Sequence, residues 1–90
     1  MKSLYIINDP KKLSEALPYI AKDDGLLLIE DAVVLATNDN EQVYCHNQYV
    51  LQEDLIARGL NDKSNPGWSL IDYPQFVELT LTFDKSISWL

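Results

Sequence analysis

One cysteine, three glycines and seven cations set against fourteen carboxylates are what this 90-residue chain has little of. A lone Cys45 allows no disulfide within the chain, so the sequence lacks the framework of a small secreted scaffold and a reducing cytoplasm is the expected compartment. Gly25, Gly59 and Gly67 are too few and too scattered for a G-x-G-x-x-G or G-x-x-x-x-G-K-[ST] loop, which argues against a nucleotide site. The formal charge of −7 argues against direct contact with RNA or DNA, because phosphate affinity comes from Lys and Arg. The deficit is spread evenly: residues 1–45 hold 4 basic and 8 acidic side chains and residues 46–90 hold 3 and 6. Long apolar runs are missing as well. The longest, Ala32 to Ala36, is far below the ~20 residues that span a bilayer.

What is there is an alternation of short apolar runs and helical patterns, in a length that suits one small domain over residues 1–90. Ser3 to Ile7 is rich in β-branched and aromatic residues and ends at Asn8-Asp9-Pro10, a turn-forming or helix-capping cluster, so it is the first expected strand. Leu13, Ala16, Leu17 and Ile20 recur at helical spacing. Pro18 would interrupt that helix, so a late start capped by Ser14, or a kink, is expected. Leu26 to Ile29 is apolar throughout, as befits a central strand covered on both faces. Glu30-Asp31 then opens a short helix that Asn38-Asp39-Asn40 interrupts.

Tyr49 to Leu51 reads as a third strand, and Glu53-Asp54 to Arg58 as a helix closed by Gly59 in the left-handed conformation. Trp68 to Ile71 reads as a fourth strand. Asp72-Tyr73-Pro74 is a helix start with proline in the first turn, and that helix runs to about Phe83, although Leu79 to Phe83 also has strand character. The sum is an α/β fold, a small open parallel sheet of about four strands with helices on both faces and two open edges.

Few residues offer chemistry. Cys45 and His46 are the only Cys and His, but neighbours in an extended segment point to opposite faces, so a loop thiol beside a surface imidazole is the simpler reading. No metal site is expected, since zinc needs three or four ligands. Glu30 and Asp31 stand at the carboxyl rim of the sheet, where open α/β folds bind ligands, yet helix capping explains them better. Asp54 and Arg58 form an i,i+4 pair. Trp89 is either core or a partner anchor.

Leu27-Leu-Ile-Glu-Asp31, Glu53-Asp-Leu-Ile-Ala-Arg-Gly-Leu60, Ile71-Asp-Tyr-x-x-Phe-Val-x-Leu-Thr80 and a closing Ser88-Trp89 stand in order along nearly the whole chain. In these blocks the sequence resembles the TusB/DsrH family of sulfur-relay subunits. The resemblance implies a DsrEFH-like fold and a place as a non-catalytic subunit beside TusC-like and TusD-like chains in a cytoplasmic dimer of heterotrimers, a heterohexamer. It also implies a role in tRNA processing. Sulfur would pass through that complex to a TusE-like acceptor and on to the 2-thiolation of the tRNA wobble uridine in 5-methylaminomethyl-2-thiouridine synthesis, the acceptor cysteine lying on the TusD-like partner.

No cofactor and no membrane are implied. DsrH-type members of the sulfur-oxidising branch carry a cysteine in the first helix, and the ungapped match places Ala16 there. Cys45 corresponds to no family cysteine. Ala32 replaces a common glycine, and the stretch from Asp31 to Glu53 is shorter than usual, which puts the second crossover in question. Glu30, Asp31, Asp54, Arg58, Gly59, Asp72, Tyr73, Phe76 and Trp89 are therefore expected as structural or interface residues. The competing expectations are a persulfide carrier using Cys45, a DsrH-type subunit in sulfur oxidation, and a binding module with a ligand near Glu30, Asp31 and Asp54.

Overall fold

A computed structural model of the chain describes residues 2–37 and 43–89, so Asn38-Asp39-Asn40 lies outside the described residues. In order, the elements are β1 (Ser3–Ile7), α1 (Pro10–Ala16), β2 (Gly25–Leu28), β3 (Asn47–Leu51), α2 (Gln52–Ala57), β4 (Ser69–Ile71), α3 (Tyr73–Thr82) and β5 (Lys85–Trp89). Two 3₁₀ segments, Leu17–Tyr19 and Glu30–Thr37, complete the first two crossovers. The five strands form one parallel sheet in the order β4-β3-β2-β1-β5. β2 is central, as its unbroken leucines require, and the expected α/β architecture is present.

The steps from β1 to β4 all move the same way across the sheet, so right-handed crossovers place their helical segments on one face. Leu13 and Ala16 of α1, Ala32, Val33 and Ala36 of the 3₁₀ segment, and Leu55 of α2 pack there with Tyr5, Ile7, Leu26, Leu28 and Val50. The last step returns from the β4 edge to the far edge, and α3 crosses the opposite face. There Phe83, Phe76 and Leu79 meet Leu4, Ile6, Leu27, Leu51 and Ile71. The Phe83 ring lies over Gly25. A Cβ on Gly25 would come within 2.5 Å of the Phe83 Cζ, so the close approach of that ring needs glycine.

Four expectations are corrected. The fifth strand, β5, was not expected, and with it the open edges are β4 and β5. Asp9, not Ser14, caps α1, its Oδ1 accepting from the Lys11 amide at 2.9 Å while Pro10 takes the first turn, where its missing N–H costs nothing. Pro18 does not kink a long helix. α1 stops at Ala16 and the chain tightens into a 3₁₀ turn with Pro18 in its own first turn. Trp68 precedes β4 and packs in the core rather than pairing in the sheet. The helix expected to run to about Phe83 is present as α3, and the residues from Leu79 to Thr82 are helical.

Two buried polar side chains brace the amino ends of the strands. Asp24 accepts from the Ser3 amide at 3.0 Å and the Ala21 amide at 2.8 Å, fastening the start of β1 to the turn before β2. The Gln48 amide oxygen accepts from the Tyr44 and Cys45 amides, and its nitrogen donates to the Gly67 carbonyl at 3.3 Å. Each satisfies backbone groups that burial would otherwise leave unpaired.

Candidate functional site

The carboxyl ends of the parallel strands gather most of the singled-out residues along one rim. Glu30 follows β2, Asp54 lies in the first turn of α2 after β3, Asp72 follows β4, and Trp89 ends β5. Glu30 adopts φ 50°, the left-handed region that a residue with a Cβ enters at a cost. Its amide donates to Asp54 Oδ2 at 2.7 Å, which holds it there. Arg58 donates to Asp31 Oδ1 from Nη2 at 2.9 Å and Nε at 3.3 Å, while its Nη1 lies 3.9 Å from Asp54 Oδ1. The expected Asp54–Arg58 pair is thus the looser half of a three-residue bridge. Asp31 is widely exposed, so the bridge adds little stability; its effect is to tie the 3₁₀ segment to α2. Gly59 closes α2 with φ 68°, as its place after Arg58 predicts.

Glu30, Asp31, Asp54 and Arg58 therefore do come together, with Asp54 Oδ2 taken by the Glu30 amide and Asp31 Oδ1 by Arg58. The described residues enclose no pocket and contain no group of three or more acidic, His or Cys side chains placed to hold a metal. The sequence reading missed Asn8 and Glu53. Asn8 Oδ1 and Glu53 Oε1 are buried at the rim without a hydrogen-bond partner among the described residues, while Glu53 Oε2 accepts from the Tyr73 amide at 3.2 Å. They follow β1 and β3, with β2 between them.

Asp72 and Gln75 form a full capping box: Asp72 Oδ1 accepts from the Gln75 amide and Gln75 Oε1 from the Asp72 amide, both at 2.9 Å. Tyr73 is exposed beyond that cap and Phe76 is half-buried against the sheet. Trp89 packs at the β5 edge beside Tyr19, ring centroids 5.7 Å apart, and its Nε1 donates to Glu15 Oε2 at 3.3 Å.

Cys45 and His46 do not act together. The thiol is buried and its Sγ donates to the Asn47 carbonyl at 3.4 Å, whereas the imidazole is exposed with Nδ1 3.9 Å from Asp23. Burial pushes the Cys45 thiol above its ordinary pKa, with the Asp24 charge adding to the rise. A raised pKa keeps the sulfur as a thiol, the form that does not attack a persulfide. Ala16, at the position where the resemblance looks for a sulfur-carrying cysteine, is the last residue of α1 and is fully buried.

These features define a small open α/β protein with an all-parallel sheet and side-chain hydrogen bonds that link the crossovers along its carboxyl rim. The family model described as "DsrH like protein" matches residues 8–86, and the chain belongs to that family. It is similar to "Protein TusB" of Yersinia pestis (strain Pestoides F), with 34% identity over 82 residues and 86% of each chain covered. The same figures relate it to "Protein TusB" of Yersinia pseudotuberculosis serotype O:1b (strain IP 31758).

Proposed function

We propose that the chain is a TusB-type, non-catalytic subunit of a sulfur-relay complex, assembled with TusC-like and TusD-like chains and supporting 2-thiolation of the tRNA wobble uridine through a TusE-like acceptor. The observation that carries this reading is its 34% identity, over most of both chains, to proteins named TusB. The burial of Cys45 supports the non-catalytic part, because a relay sulfur must be an accessible thiolate. The charge of −7 supports a place upstream of the tRNA rather than on it.

Co-expression with the TusC-like and TusD-like chains tests the assembly. The chain is expected to co-purify with both as one species, and a chain that stays alone would sink the proposal. Mass spectrometry of that complex after reaction with a sulfur-loaded donor tests the chemistry. Added sulfur is expected on a partner cysteine and none on Cys45; a stable gain of one sulfur atom on Cys45 would make the chain a carrier.

A further inference from the structure

α3 buries none of its ten residues. At about 100° per residue, its apolar side chains sweep just over half the helix circumference, from Leu79 and Phe76 round to Tyr73, Val77 and Leu81. The sheet uses only the first part of that arc, through Phe76 and Leu79. Tyr73, Val77 and Leu81, at i, i+4 and i+8, form a second stripe roughly a third of a turn further round. They are 52%, 60% and 81% exposed, rising toward the end of the helix. An isolated exposed Leu is ordinary; three large apolar side chains aligned on one ridge are the mark of an interaction surface.

The charge around the stripe specifies its occupant. From Asp72 to Asp84 the chain carries three carboxylates and no cation: Asp72 caps the start of α3, Asp84 accepts from the Lys2 amide beyond its end, and Glu78, exposed next to Val77, is the carboxylate on the helix itself; the first Lys is Lys85, on β5. A second copy would bring the same carboxylates and another −7 against this ridge, which like-charge repulsion opposes. A convex helical ridge with anchors at i, i+4 and i+8 fits an apolar groove.

We infer that the Tyr73–Val77–Leu81 ridge of α3 is a docking surface for another folded protein chain, one that presents an apolar groove bordered by Lys or Arg. The inference rests on the reading of the chain as an assembled subunit and names the surface through which it assembles.

The full chain is co-expressed with its TusC-like and TusD-like chains in wild-type form, as Val77→Glu/Leu81→Glu and as Glu78→Lys. All three positions are exposed, so helix content and melting temperature of the isolated variants are expected to match wild type. Val77→Glu/Leu81→Glu is expected to weaken association by about tenfold or more, as loss of apolar anchors does. Glu78→Lys is expected to weaken it at low salt and by less at high salt, and this single change carries the test if the double variant does not fold. Wild type that assembles while both variants assemble equally well would overturn the docking surface and leave the subunit reading standing. Wild type that fails to assemble would overturn the subunit reading itself. A concentration-dependent dimer of the isolated chain that Val77→Glu/Leu81→Glu disperses would show a second copy as the occupant and overturn the heterologous partner.

Discussion

Cys45 shows how burial decides the meaning of a residue. Adjacent to the only histidine, its thiol suggests a reactive pair in the sequence; in the fold it lies in the bend before β3, its own backbone amide donating to Gln48. Its raised pKa has a consequence for stability. As pH rises past the ordinary thiol value, the unfolded chain releases a proton that the folded chain still holds, so stability falls with increasing pH in that window and is unaffected below it. Tyr5 and Tyr49, whose pKa values burial also raises, extend the loss into the tyrosine range. Cys45→Ser is expected to flatten the first part of this alkaline decline and leave the tyrosine part. Urea midpoints measured across pH check it, and an unchanged slope in the variant would count against the buried-thiol account.

At the scale of the element, α3 is held by its ends more than by its middle. The Asp72–Gln75 capping box fixes its start, and Phe83, seated on Gly25, fixes the chain just past its last turn. Asp72→Ala is expected to cost about 1 kcal/mol, the usual loss for an N-cap side chain, and to raise amide exchange in the first turn of α3 before other elements. Uniform exchange across the chain would show that the cap is not what limits that turn.

The start of this helix was legible because Asp-x-Pro is local chemistry, and Gly59 was legible because a helix closure demands a left-handed residue. β5 was not. Lys85-Ser-Ile-Ser-Trp89 alternates polar and apolar residues too briefly to stand out, and only the pairing with β1, some eighty residues away, makes it a strand. Ser14 and Asp9 competed as caps through the same side-chain chemistry, and the place of Pro10 in the first turn decided between them. The rim cluster was half legible. Glu30, Asp31 and Asp54 were recognisable as carboxylates at strand ends, but that Arg58 would turn mainly to Asp31 depends on the angle between two crossovers, which no local pattern encodes.

At the scale of the molecule, the two faces of the sheet are covered unequally. One carries α1, the Glu30–Thr37 segment and α2; the other carries α3 alone. The thinly covered face and the open β4 and β5 edges make other chains the natural completion of the fold, which is consistent with the proposed assembly. β5 contributes more than an edge. It covers β1 along all five residues, and Ile87 and Trp89 pack against the larger core cluster. A chain ended after Asp84 is therefore expected to lose cooperative unfolding, read as a broad, shallow thermal transition by circular dichroism. A sharp transition at the wild-type temperature would show that β5 is dispensable.

The β1–β5 pairing also sets an order of events during synthesis. Of these five strands β1 leaves the ribosome before the others and β5 after them, yet the two are neighbours. Until residues 85–89 emerge, Ser3–Ile7 has a partner only on its β2 side, and its other row of backbone groups stays open with Leu4, Tyr5, Ile6 and Ile7 incompletely covered. Joining β1 to β5 closes the longest loop among these strands, so the exposure of β1 to misassociation lasts until β5 is available to pair with it.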